Sequence, residues 1–229
     1  MADMLPTPPP PNHLLAYCER AGDAGLWAEP LNFITNASFI VFGFLAWRFL
    51  GTQPKHHWRE VGDLWALAFS MFLIGLGSAL WHSWAAPGWT VIVDTVPIYL
   101  FINIYIFSLY RRIAQWRWRS IIILWAAFMA FTTLLQRALP METLNGSLMY
   151  LPTLGFMIAS GLYFMAAQKR LAGKSMLLLS GLFALSLTFR TVDTMLCSLI
   201  PIGTHFIWHI LNGLLLYKLL MLLTARKTA

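Results

Sequence analysis

The sequence predicts an all-α protein in which seven long helices form a bundle across a membrane. Its 229 residues are 59% hydrophobic and only 11% charged, whereas a soluble domain is nearer half apolar and a quarter charged. A spanning helix needs about 20 mostly apolar residues. Seven nearly uncharged windows meet this need, at about residues 33–50, 63–82, 91–110, 119–136, 147–168, 174–192 and 203–224.

The short loops between these windows leave no room for a second domain. We therefore expect a single membrane domain at residues 17–229, preceded by a flexible proline-rich tail at residues 1–16. If the N-terminus lies outside, all but three of the 16 Lys and Arg residues fall on or near the cytoplasmic side. Because cytoplasmic segments carry the excess of positive charge, this favours an outer N-terminus and a cytoplasmic C-terminus. The net charge of +7 then suits anionic lipid headgroups rather than nucleic acid.

The segment before the first span is acidic, with Glu19, Asp23 and Glu29 close together. Pro30 suits a first helical turn, so Glu29 is expected at the N-cap or just before it, where the helix dipole favours a negative charge. The alternative is a calcium site, because three carboxylates and nearby backbone carbonyls supply the oxygen ligands that calcium takes.

The second and third spans carry polar residues at their outer ends. Ser78 and His82 share one helix face, one turn apart, and Gly75 and Gly77 before them permit the close approach of a neighbouring helix. Asp94 lies about one turn inside the third span, where a lone carboxylate is costly. We expect Asp94 to be functional, with His82 or a metal-bound water as its partner. A structural hydrogen bond to a tryptophan or an asparagine is the alternative.

The fourth and fifth spans show little chemistry, and the sixth ends in a charged pair. Arg190 and Asp193 are three residues apart, which favours a structural ion pair on one helix face. The only two cysteines, Cys18 and Cys197, lie on the same predicted side of the membrane. Two cysteines give no disulfide framework, so we expect both to be unpaired.

The seventh span opens with His205 and His209, which are four residues apart and share a helix face. A divalent metal is the usual reason for this spacing, although the two histidines could instead cap carbonyls or meet lipid headgroups. In the predicted topology His82, Asp94, His205 and His209 reach the same depth near the outer face. Three histidines and an open position form a catalytic zinc site.

Two further residues complete the predicted site. Asp94 could be a fourth zinc ligand or a general base that takes a proton from the zinc water. Ser78 could donate a hydrogen bond to a developing oxyanion. The reaction class that fits is zinc-assisted hydrolysis of an acyl bond in a lipid.

Several of these motifs occur in a known order: Glu29 with Asn32 and Asn36, G-L-G-S-x-x-x-H at 75–82, Asp94, and H-F-I-W-H at 205–209. The chain resembles the alkaline ceramidases and their bacterial relatives, in the superfamily that includes the adiponectin-receptor and progestin-receptor type proteins. The resemblance implies seven helices and hydrolysis of ceramide, a sphingolipid, to a sphingoid base and a fatty acid. It implies zinc on His82, His205 and His209, with Ser78 and Asp94 as catalytic residues.

The resemblance also implies calcium at the N-terminal segment, through Glu19, Glu29 and Asp23. There the chain departs from the family, because Ala16 stands three residues before Glu19, where the family has an acidic residue. Two rival functions stay open: a receptor-like protein that binds a lipid and has a structural zinc, and a proton-coupled transporter. The expected location is a bacterial inner membrane, or the endoplasmic reticulum or Golgi in a eukaryote.

Overall fold

A computed structural model describes residues 17–21, 23, 25–53, 58–84, 89–140 and 143–224. The predicted tail at residues 1–16 lies outside these described residues. Within them the protein is all-α, with no strand. The helices are α1 Pro30–Thr35, α2 Ala37–Thr52, α3 Trp58–Trp84, α4 Trp89–Leu109, α5 Trp118–Ala138, α6 Leu151–Ala166, α7 Arg170–Val192 and α8 His205–Thr224.

Seven of the helical stretches in the described part of the chain are long and apolar enough to cross a membrane. Helices α1 and α2, separated at Asn36, together form the first of them, Pro30–Thr52. The third spanning stretch begins with α4 and continues through a π-helical turn to Ala114. The sixth consists of α7 and a following 3-10 turn that ends at Met195. The predicted seven-helix fold is confirmed, with ends that differ by a few residues from the apolar windows.

Helix α3 lies at the centre of the bundle. It packs against α2 and α4. Helix α7 packs against α6 and α8, and α2 packs against α8. The core side chains of α3 are fully buried, at Leu67, Met71 and Ile74. Large apolar side chains on the outer surface, such as Ile123 and Leu178, are exposed. This is the pattern of a bundle whose outer face meets lipid rather than water.

The predicted close approach of α3 to a neighbour occurs at Gly77. A Cβ atom on Gly77 would lie 1.9 Å from the backbone oxygen of Val93 in α4. A Cβ atom on Gly75 would lie 2.8 Å from a side-chain carbon of Ile40 in α2. Because no larger residue fits at Gly77, this contact sets how closely the ends of α3 and α4 can meet, which brings Ser78 near to Asp94.

The two cysteines are not unpaired, as the sequence suggested; Cys18 and Cys197 form a disulfide bond. The backbone N–H of Cys18 also donates to the Asp193 carboxylate at 2.9 Å. The bond ties the segment before α1 to the loop after α7. It was missed because the cysteines are 179 residues apart and only the tertiary fold brings them together.

The predicted ion pair between Arg190 and Asp193 is wrong. Helix α7 ends at Val192, so Asp193 lies in a following 3-10 turn and leaves the helix face of Arg190. Its carboxylate accepts hydrogen bonds from the backbone N–H groups of Cys18, Thr204 and His205. Arg190 instead donates to the Asn145 carbonyl at 3.1 Å. Three buried N–H groups require an acceptor, and Asp193 is that acceptor.

We predict that Gly77→Ala strongly destabilises the protein, because the overlap is with a backbone oxygen that no side-chain rotation can move. Gly181→Ala is the matched control, since a Cβ atom there meets nothing within 4 Å and alanine is the better helix former. Thermal unfolding in detergent compares the two. The packing account fails if Gly77→Ala unfolds at the same temperature as Gly181→Ala.

Candidate metal and catalytic site

Three buried histidines meet at one end of the bundle. His82 comes from the last turn of α3, and His205 and His209 come from the first two turns of α8. Their exposed fractions are 1%, 2% and 1%. One ligand atom from each lies within 4.8 Å of the others. The fold thus brings together the three histidines that the sequence assigned to a metal site, and in the described residues no other group of this kind occurs.

Hydrogen bonds to the outer ring nitrogens orient two of the three imidazoles. The Nδ1 atom of His82 lies 2.5 Å from Glu29 Oε2, and Nδ1 of His209 lies 3.0 Å from the Thr35 hydroxyl. Each contact leaves Nε2 free to act as a ligand. The Nδ1 atom of His205 is buried without a hydrogen-bond partner, which is uncommon for a buried polar atom.

This donor set fits a zinc ion. Zinc takes imidazole nitrogens in tetrahedral geometry, and its histidine ligands commonly bond a carboxylate through their second nitrogen. Three imidazoles converge here, as in such a zinc site. One of them, His205, has a ring nitrogen without a hydrogen-bond partner. Other divalent metals that bind imidazole fit the same donor set.

Glu29 lies at the centre of a second layer of polar contacts. As predicted it is the N-cap residue of α1, although its side chain does not cap the helix. Its carboxylate accepts hydrogen bonds from Arg20 Nε at 2.5 Å and from the Asn32 amide at 3.0 Å, besides its contact with His82. Burial by itself raises the pKa of the Glu29 carboxyl group, but His82, Arg20 and Asn32 together hold it below its ordinary value.

Arg20 connects this layer to the backbone of α3. Its guanidinium group is 1% exposed and donates to the His82 carbonyl at 3.0 Å. Arg20 therefore reaches His82 both directly and through Glu29. This role of Arg20 could not be predicted from the sequence, because nothing in the spacing of Arg20, Glu29 and His82 shows that they meet.

The acidic segment that could bind calcium is occupied by protein donors. Glu19 accepts from two backbone N–H groups in the first turn of α1. Arg20 donates to the carbonyls of Asp23 and Gly25, and to Glu29. Because a guanidinium group lies where these oxygens converge, the arrangement does not fit a calcium ion, which takes about six to eight oxygens. Calcium on Glu19, Asp23 and Glu29 stays an untested prediction without support from this geometry.

The first turn of α8 is fixed by Asp193, which accepts from the N–H groups of Thr204 and His205 at 2.5 and 2.9 Å. A carboxylate at a helix N-terminus is favoured by the helix dipole. Gly203 has φ of +67°, and a Cβ atom there would lie 2.1 Å from the Asp193 carboxylate. Glycine at 203 thus allows Asp193 to hold the helix that carries two of the three histidines.

A cavity that is partly open to its surroundings lies beside the histidines. It reaches from His205 to Leu219 along α8 and from Asp94 to Leu109 along α4, or roughly 20 Å at 1.5 Å per helical residue. Its far walls are apolar. It separates α4, which packs on α3 and α5, from α6, α7 and α8.

Ser78 and Asp94 line the same cavity at its histidine end. Ser78 lies one turn before His82 on α3, and the Asp94 carboxyl group interacts with both His82 and Ser78. The two predicted catalytic residues are therefore beside the candidate metal ligands. A lipid whose acyl chain filled the apolar part of the cavity would present its polar end to these groups.

The comparison with protein families agrees with this architecture. The sequence matches the Ceramidase family over residues 15–228, which includes every residue of the site. Searches of curated proteins and of solved structures gave no significant match. The chain therefore belongs to the ceramidase family, and this membership implies that it is a hydrolase.

Proposed function

We propose that the protein is a zinc-dependent intramembrane amidohydrolase. Its substrate is ceramide or a similar long-chain N-acyl lipid, which it cleaves to a sphingoid base and a fatty acid. The observation that carries the proposal is the convergence of three buried histidines within 4.8 Å at the polar end of an apolar cavity. Membership of the ceramidase family supports the substrate class.

His82, His205 and His209 hold the metal in this proposal. A zinc ion bound there would acidify a water molecule and polarise the substrate carbonyl. Among the residues that the structure describes, the converging ligand atoms come from the three histidines, and three protein ligands are typical of catalytic rather than structural zinc. Glu29 keeps the His82 ring oriented through its Nδ1 atom.

Asp94 serves as the general base. It takes a proton from the attacking water and returns it to the leaving nitrogen, which then departs as the amine of the sphingoid base. Asp94 is not part of the group of converging ligand atoms, and this supports a role as base over one as fourth ligand. Ser78 donates a hydrogen bond to the oxygen that becomes negative during attack.

The apolar length of the cavity binds the acyl chain. Because the acyl chain comes from lipid, which is as apolar as the cavity wall, its burial adds little hydrophobic affinity. The fit of the chain instead positions the amide at the polar end. The cavity lies between α4 and the pair of α6 and α7, within helices long enough to cross the membrane. A substrate that is itself a membrane lipid can therefore enter from the bilayer.

The site belongs, in this proposal, at the non-cytoplasmic end of the bundle. The disulfide between Cys18 and Cys197 lies at the same end as the histidines, since Cys18 and His205 both bond Asp193. Disulfides persist in oxidising compartments, which agrees with the orientation expected from the basic residues. This supports a bacterial inner membrane with the site on the periplasmic side, or a luminal site in the endoplasmic reticulum or Golgi.

We predict that Asp94→Asn retains zinc but loses turnover by about 10²–10⁴-fold, the usual contribution of a general base. His82→Ala and His205→Ala should lose both zinc and turnover. Elemental analysis and fatty-acid release from ceramide are measured on each purified variant. Thr95→Val is the control, because it changes the next residue of α4, whose hydroxyl bonds the Val91 carbonyl.

Two outcomes would contradict the proposal. Full turnover by metal-free protein would exclude a catalytic metal. Zinc-loaded wild-type protein that binds ceramide but does not cleave it would instead favour the receptor-like alternative, in which the zinc is structural.

We further predict that Glu29→Gln weakens zinc binding by about 10- to 100-fold, the usual effect of losing the carboxylate that orients a histidine ligand. The amide preserves the shape of Glu29 but removes the charge beside His82. Competition with a chelator measures the change, with Thr95→Val as reference. Equal zinc affinity in Glu29→Gln and the reference would show that the carboxylate does not act on the metal site.

A further inference from the structure

A buried cation that the proposed reaction does not use lies in the cavity wall. Arg190, in the last turn of α7, lines the same cavity as the three histidines and is 9% exposed. Its Nη1 atom donates to the Asn145 carbonyl at 3.1 Å. Its Nε atom is buried and has no hydrogen-bond partner.

Aromatic rings surround the guanidinium group. The central carbon of Arg190 lies 5.8 Å from the ring centre of Tyr17, 5.7 Å from that of Tyr150 and 5.9 Å from that of Trp208. All three rings also line the cavity. Such contacts attract a cation through the ring quadrupole, and together they fix the position of the guanidinium group, but they provide no negative charge.

Within the described residues, no carboxylate forms an ion pair with Arg190. The ion pairs found there join Arg20 to Glu29, His82 to Glu29, and Arg112 to Asp63. Asp193, the nearest acidic residue in sequence, bonds backbone N–H groups instead. Asp94, which lines the same cavity, interacts electrostatically with Arg190 without forming an ion pair. A buried charge is costly unless it is paired at close range, so an anion from outside the chain that reached Arg190 would find an unpaired partner.

We propose that Arg190, with Tyr17, Tyr150 and Trp208 around it, is a binding site for the carboxylate of a long-chain fatty acid. Guanidinium groups match carboxylates in shape and in donor geometry. The apolar length of the cavity suits the tail of such a ligand. The identification of this acid as the reaction product rests on the proposed function; Arg190 then holds the product carboxylate once cleavage has created it.

The test measures binding rather than turnover. Purified wild-type protein is titrated with hexadecanoate and with hexadecanol, which share a chain length and differ in the charged head. We expect the acid to bind at least about tenfold tighter, because only its charged head can form a charge-assisted hydrogen bond with the guanidinium group. Arg190→Gln should abolish this preference, whereas Arg137→Gln, an exposed arginine in the last turn of α5, should preserve it. If Arg190→Gln prefers the acid to the alcohol as strongly as the wild type does, Arg190 is not the carboxylate-binding residue.

A second measurement covers the case in which Arg190→Gln does not fold. Wild-type protein is stripped of metal with a chelator and titrated with the same two ligands. A preference for the acid that persists supports Arg190 as its source, and a preference that disappears with the metal overturns the proposal.

The two proposals can fail separately. If ceramide is not cleaved but acid binding depends on Arg190, the carboxylate site stands and the proposed reaction falls. If ceramide is cleaved and acid binding does not depend on Arg190, only the carboxylate site falls.

Discussion

The structure depends on holding three imidazole rings together inside an apolar bundle. Each ring must turn one nitrogen toward the others, which no apolar neighbour can enforce. Two buried carboxylates meet this constraint: Glu29 orients the His82 ring, and Asp193 fixes the first turn of α8, which carries His205 and His209. Both carboxylates are engaged by the segment before α1, through Arg20 and Cys18. The segment before α1 thereby helps to position histidines that lie on two separate helices.

The surroundings of the site combine close packing on one side with open space on the other. At Gly77 the backbones of α3 and α4 meet so closely that only glycine fits, and this keeps Ser78 beside Asp94. On its other side α4 borders the cavity, which separates it from α6, α7 and α8. The polar groups therefore lie on closely packed helices, while the apolar part of the cavity lies between α4 and the helices α6, α7 and α8.

The fold and the meeting of the three histidines could be predicted, because both follow from local sequence features and from the position of each residue in the membrane. The apolar windows located the spans, and the position of each polar residue within its span predicted that His82, His205 and His209 lie at the same depth. The Cys18–Cys197 disulfide and the contacts of Arg20 could not be predicted, since they join distant segments through tertiary structure. The ion pair of Arg190 with Asp193 failed for a local reason, because the helix ends one residue before Asp193.

The most direct test of the account is to measure bound zinc and ceramide turnover on the same purified protein as a chelator removes the metal in steps. If the three histidines hold a catalytic zinc, the protein carries one zinc ion per chain at the start. Fatty-acid release then falls in proportion to the zinc remaining and recovers when zinc is restored. Release that continues unchanged after the zinc is gone, or fully active protein purified without zinc, would contradict the assignment of the three histidines to a catalytic metal.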